Sequence, residues 1–316
     1  MNPTQAGYLV SLARAIMTAV LVSMLGTASI GLAAEAKQQT FGTPEDAVQA
    51  LVTAAKAGAE AMMGVLGPGS KDVVQSGDAV ADKTGRERFV KAYEEANKLE
   101  KVGDAKAILS TGKDGWPFAI PIVKDAAGWR FDTKAGKEEI LNRRIGRNEL
   151  SVIQVALAYV DAQREYYLRN PAKDKLSHYA QKFVGAQGKK DGLYYPTKSG
   201  ERPSPLGPLV SGAKAAGHEK GKDAAGKPVP YYGYHYRILK GQGLDAPGGA
   251  YDYVAQGRMI GGHALIAWPA TYGNSGVMTF MINHDGVVYE KDLGPETAAL
   301  APKITRFNPD GSWKRL

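Results

Sequence analysis

NELSVIQVALAYVDAQREYYL, residues 148–168, is the longest clean helical pattern in the chain. Leu150, Ile153, Leu157, Val160 and the methylene stem of Arg164 recur at three- and four-residue steps, and Val152, Val155, Ala156 and Tyr159 widen the stripe. One face is therefore expected to be core. Asn148 is placed to serve as N-cap, Glu149 follows in the first turn, where the helix dipole favours an acid, and Asn170-Pro171 stops the helix. The pattern predicts a spine that joins a compact segment before it to a strand-and-turn segment after it.

Residues 1–36 have the composition of a secretory signal. Arg14 supplies a positive charge, Ala15 to Leu32 is apolar and small, and Ala34-Glu35-Ala36 fits a small-x-small cleavage site, with cleavage after Ala33 or Ala34 as alternatives. A retained membrane anchor is the competing reading, since the stretch approaches the ~20 residues that span a bilayer. Export makes the protein periplasmic or secreted, with no transmembrane span once the signal is cut. The chain has no cysteine, which excludes disulfides, thiolate metal sites, a cysteine nucleophile and lipid attachment at cysteine.

The formal charge is +8, and most of it sits in one place. Between Lys182 and Lys240 there are eleven Lys and Arg against four Asp and Glu, in a stretch rich in Gly, Pro and Ser. This reads as long basic loops at about 185–230, partly mobile, that connect elements or attract an anionic partner. No aromatic-studded basic motif of an RNA-binding fold occurs, so nucleic acid is not an expected partner.

Residues 37–136 read as a small N-terminal α+β module. Thr43-Pro44-Glu45-Asp46 opens a helix that runs to Ala57, a second covers Glu60 to Leu66, and a third covers Lys83 to Leu99 with Phe89, Val90 and Tyr93 inward. The period then changes. Ala105 to Ser110, Phe118 to Val123 and Gly128 to Phe131 read as short strands of a meander. Trp116, Phe118 and Trp129 are either core aromatics or the lining of a pocket. KEEILNRRIGR, residues 137–147, reads as a short helix with acids first and bases last, and Arg143, Arg144 and Arg147 form a candidate clamp for a carboxylate or phosphate.

Residues 137–316 read as that helical region and an antiparallel sheet of roughly four strands. Tyr231 to Leu239 alternates and is aromatic-rich, and His263 to Pro269 is a continuous apolar run expected to be buried on both faces. VMTFMIN, His284-Asp285-Gly286 and VVYEKDL form a hairpin closed by Asp-Gly. The overall fold class is α+β, with a long helix packed on an antiparallel sheet.

Catalytic constellations are sparse. Gly241-Gln242-Gly243 imitates a dinucleotide loop, but Pro247-Gly248-Gly249 stands where a helix must begin. The five histidines are scattered, with no pair at ligand spacing on one helix, so no metal and no cofactor is expected. Asp161 and Glu165 lie one turn apart and are candidate paired carboxylates, although Arg164 beside them suits a solvated charged face. Two functions follow. One is a non-catalytic binding or assembly module of the cell envelope, partnered by another envelope protein or an anionic envelope component. The other is a small-ligand enzyme or hydrolase with Arg147, Asp161 and Glu165 at the junction of the modules. Trp116, Arg143, Arg144, Arg147, Asp161 and Glu165 are the candidate binding residues.

GTPEDAVQALVTAAKAG, KEEILNRRIGRNEL, YVDAQREYY, DGLYYP, PSPLGPL, APGGAYDY and GVMTFMINHDGVVYEKDLG together resemble the bacterial exported family called domain of unknown function 2950. The resemblance implies export from a Gram-negative cell and brings no activity, ligand or catalytic residue to carry over. In fold alone, the helix-then-hairpin order of the second half resembles the globular head of type IV pilin-like proteins, but Arg143, Arg144 and Arg147 stand where those proteins have an apolar membrane helix.

Overall fold

A capped helix opens the described chain. The computed structural model describes residues 38–215 and 229–316; the expected signal and residues 216–228 of the basic segment lie outside the described residues. Thr43 Oγ1 accepts the Asp46 amide at 3.1 Å and Pro44 stands in the first turn of α1, Pro44–Ala57. α2, Ala59–Leu66, and α3, Lys71–Val74, follow through glycine-containing breaks. α4, Ala79–Glu95, begins earlier than its apolar spacing predicts, because Asp78 Oδ1 accepts the Val80 and Ala81 amides. It also ends earlier. Ala96 turns extended, the Gly112 amide donates to the Ala92 and Ala96 carbonyls, and Asn97–Lys101 becomes strand β1 rather than a last helical turn.

β1 pairs with β2, Lys106–Thr111; β3, Trp116–Pro117, lies on β2; β4, Ile122–Asp125, pairs with β2 and with β5, Gly128–Phe131. All these pairs are antiparallel. Leu51 and Leu66 of the helices meet Leu109, Ile120, Ile122 and Phe131 in the core between helices and sheet.

The next helix corrects the reading of two separate helices. α5 is one unbroken helix, Thr133–Arg169, 37 residues long and so about 55 Å at ~1.5 Å per residue. Asp132 accepts the Ala135 amide as N-cap, and Asn170 ends the helix with φ 42°, so Asn148 lies mid-helix. Asn148 and Glu149 instead reach across to the chain at 275–278: the Asn148 amide donates to the Ser275 carbonyl, and Glu149 accepts the Val277 and Met278 amides at 2.9 Å. A second correction concerns the buried face. Val152, Val155, Ala156, Tyr159, Ala162 and Tyr166 face inward, whereas Leu150 is 68% exposed and Leu157 37%. Tyrosines and alanines form the core face here, with Gln163 buried among them through the Ala180 backbone, and hydropathy spacing underweights all of these.

β6 Tyr234–Leu239, β11 Ala264–Pro269, β12 Met278–Asn283, β13 Val288–Asp292 and β14 Lys314–Arg315 form a five-stranded antiparallel sheet in the order β14-β13-β12-β11-β6. Two short ladders, β7 Gly241–Gln242 with β8 Tyr251–Asp252 and β9 Val254–Ala255 with β10 Arg258–Met259, lie in the long connection. The expected hairpin is β12-β13, its turn closed by the Gly286 amide on the Asn283 carbonyl. β11 is buried on both faces: Leu265 and Ala267 pack with α5, while Ala264 and Ile266 pack with Tyr253, Met259 and Phe307. In the basic segment, Leu193 and Leu206 enter the core beneath α5, and α6, Gly207–Ala215, follows them. α7, Thr297–Leu300, lies before the C-terminal strand. Gln38–Leu316 is one compact unit, and among the described residues no helix is long and apolar enough to cross a membrane.

His263 is 2% exposed, its ring centroid 5.3 Å from that of Tyr159 and 4.7 Å from that of Tyr179, and its Nδ1 has no hydrogen-bond partner among the described residues. Burial first, and the neighbouring His284 second, push its pKa down to about 3. Because the folded pKa lies below the unfolded value near 6.5, the unfolded chain binds more protons between these limits, so stability is full above pH ~6.5 and falls as pH drops. Urea unfolding at pH 7 and pH 4.5 is expected to show a loss of about 2 kcal/mol in the native protein beyond that in His263→Phe. Identical losses in both proteins would place the pH dependence elsewhere.

Candidate functional site

The faces of two helices converge on one cavity. On α4, Asp82, Gly85, Arg86 and Phe89 fall at i, i+3, i+4 and i+7, with Arg88 on the flank; on α5, Ile140, Arg144, Arg147, Asn148 and Ser151 fall at i, i+4, i+7, i+8 and i+11. Between them lies a cavity of about 330 Å³, within the usual range for small-ligand sites. Its floor is apolar, made of Met62 and Leu66 from α2, Val73 and Val74 from α3, and Phe89, Phe118 and Ile140. Tyr232, with φ 51°, lies at its edge.

Arg144 builds one wall. Its guanidinium donates to the Asp72 carbonyl at 2.6 Å, to the Val73 carbonyl and to Asn274 Oδ1, and Asn274 Nδ2 donates in turn to the Gln75 carbonyl at 2.9 Å. These acceptors engage Arg144 in structure. Asp78 Oδ2 accepts the Gly233 amide at 3.2 Å, a second tie between the α4 cap and the chain before β6. Among the described residues Asp82 is the single acid in the lining, and both its oxygens accept the Ser76 amide at 2.9 and 3.1 Å. Burial pushes its carboxyl up, against the opposing pull of Ser76 and of the Arg144 charge.

Arg86, Arg88 and Arg147 differ from Arg144. None of the three side chains has a hydrogen bond or ion pair within the described residues. Arg147 still reaches solvent, yet desolvation and then the like charges of Arg88 and Arg143 push its pKa down. Arg88 and Arg147, near enough for their like charges to act on each other, favour an incoming anion, and guanidinium groups suit carboxylate and phosphate through paired N–H donors. The neighbouring groove over α1 and α4, which Arg86 also lines, has acids in its lining: Lys56 pairs with Glu94 at 2.6 Å and Lys83 with Glu87 at 3.8 Å.

Of the residues singled out from sequence, Arg144 and Arg147 line this cavity. Arg143 points away, bonding Glu139 at 2.6 Å and the Pro117 carbonyl at 3.2 Å, with its guanidinium 5.7 Å from the ring centroid of Trp116, which is 64% exposed. Trp129 is buried in the first core and Phe118 lines the cavity. Asp161 is exposed, and Glu165 is held by Arg169 and by Arg202 at 2.8 Å. Positions 147 and 161 are about 21 Å apart along the axis at ~1.5 Å per residue, so these two carboxylates do not join Arg147. Arg86, Arg88 and Asp82 were missed by the sequence reading. The i, i+4, i+7 spacing of Asp82, Arg86 and Phe89 was the available signal, and nothing local says that α5 lies opposite. Among the described residues, no group of three or more His, Asp or Glu is placed to hold a metal ion.

Replacing Arg144 by Ala removes the donor to three acceptors and leaves Asp82 without its cation, so a loss of about 3 kcal/mol is expected. Arg144→Lys, with one compact ammonium, restores less than half of it. Urea midpoints of the three proteins check this, and a full rescue by lysine would show that charge alone matters.

No curated protein and no solved structure matches the chain. A family model described as "Protein of unknown function (DUF2950)" matches residues 38–316, and the chain belongs to that family.

Proposed function

We propose that this protein is an exported, non-catalytic binding module of the cell envelope that takes an anionic envelope component at the arginine-rimmed cavity. One observation supports this above the others: the side chains of Arg86, Arg88 and Arg147 stand at the cavity with no acid partner among the described residues, while Asp82, the acid of the described lining, is already engaged by Ser76. Maintaining neighbouring positive charges without a counterion costs folding free energy, and an anionic ligand returns it on binding. The alternative, a hydrolase or small-ligand enzyme using Arg147, Asp161 and Glu165, is less well supported, because the carboxylates lie far along α5 from Arg147.

The test uses 1-anilinonaphthalene-8-sulfonate, an organic anion whose fluorescence reports burial, on the full mature chain. The double variant Arg88→Gln, Arg147→Gln is expected to bind it at least tenfold more weakly with a melting temperature no lower than that of the native protein, and added salt should weaken binding to the native protein. Binding that survives both changes would refute the anion site. Export is tested by the N-terminus of the protein isolated from native cells, expected at Ala34, Glu35 or Lys37 in an envelope or secreted fraction. An intact Met1 would refute it.

A further inference from the structure

We propose that the ligand of the arginine-rimmed cavity is a single-chain amphiphilic anion, with a carboxylate or phosphate head at Arg86, Arg88 and Arg147 and an aliphatic chain lying on the floor. This rests on the reading of the cavity as an anion site and adds the nature of the ligand's body. Apart from Thr84, Tyr232 and the three arginines, the polar side chains of the lining have partners within the protein. The Asn148 amide donates to the Ser275 carbonyl at 2.8 Å, Ser151 Oγ to the Arg147 carbonyl at 2.9 Å, Ser76 Oγ accepts the Asp78 amide at 3.2 Å, and Asp82 is held by the Ser76 amide. The hydroxyls and ring nitrogens of a sugar or nucleoside body would lie against the apolar side chains of the lining, where each buried polar group without a partner opposes binding.

Below the rim the surface is Met62, Leu66, Val73, Val74, Phe89 and Phe118, contributed by three helices and the chain before β4. These side chains favour CH₂ groups, and Met62 adapts to an irregular chain. The size also bounds the ligand. At roughly 30 Å³ per water-sized group, 330 Å³ holds about ten non-hydrogen atoms, so a medium-length chain fills the cavity while its head stays at the guanidinium groups. A free carboxylate and a phosphate monoester share this chemistry, and the chain does not distinguish them.

The experiment titrates the full mature protein by calorimetry with unbranched alkyl carboxylates and alkyl phosphates of four to twelve carbons, below their micelle concentrations, and with inorganic phosphate as the head alone. Affinity is expected to rise about threefold to fourfold with each CH₂, which is ~0.8 kcal/mol per methylene, and to level off near ten carbons. The tighter of the two series names the head. Phe89→Ala should reduce the rise per methylene and leave inorganic phosphate binding unchanged; the native series decides the question even if that variant does not fold. Binding of inorganic phosphate with no dependence on chain length would overturn the chain and leave the anion site standing. No binding of either series or of phosphate would overturn both.

Discussion

The guanidinium of Arg144 is the contact on which the arrangement of the rest depends. It links the last carbonyls of α3, at Asp72 and Val73, to Asn274 in the loop before β12, residues separated by about two hundred positions in sequence. Asn274 returns a hydrogen bond to the Gln75 carbonyl, so each side of this junction satisfies the other. A charged group in such a place is stable only when its donors are nearly all engaged, since removing it from water opposes folding by several kcal/mol. Burial indeed pulls the pKa of Arg144 down, with Asp82 and Asp72 opposing that pull.

Helix α5 gives this contact its leverage. One continuous helix passes from the first core, where Ile140 packs, to the second, where Val152, Tyr159 and Tyr166 pack. The start of the helix is seated closely: a Cβ on Gly136 would lie 2.5 Å from the Ala119 carbonyl oxygen, so only glycine allows that approach. Glu149 then accepts the Val277 and Met278 amides, tying the same helix to the start of β12. The cavity thus forms between α4 and a helix whose position is set from both ends, and the unpaired arginines are held by a frame that does not need them for its own stability.

The functional reading follows from this separation of roles. The side chains of Arg144 and Asp82 have partners within the protein, whereas those of Arg86, Arg88 and Arg147 have none among the described residues. Sequence proximity hid the distinction, because Arg143, Arg144 and Arg147 read as one clamp. The helix turns them to three environments: Arg143 to Glu139 and Trp116, Arg144 to backbone carbonyls, and Arg147 to the cavity mouth beside Arg88.

The sequence by itself determined the local elements: the capped start of α1 at Thr43, the Asp-Gly hairpin of β12 and β13, and the two-faced burial of β11. Each depends on residues within a few positions of one another, through cap hydrogen bonds, turn conformation and the alternation of side chains. Where local signals competed, it misled. Asn148 is a good cap residue and Leu150, Leu157 a good stripe, yet α5 runs through the first and leaves the second exposed, since the first half of the helix has its own core to pack on. Tertiary structure alone decided which face of α5 is buried and which arginines share a cavity. Its lining is drawn from positions 62 to 232, and proximity across such distances arises from the packing of separate elements, for which a single sequence has no periodic signal.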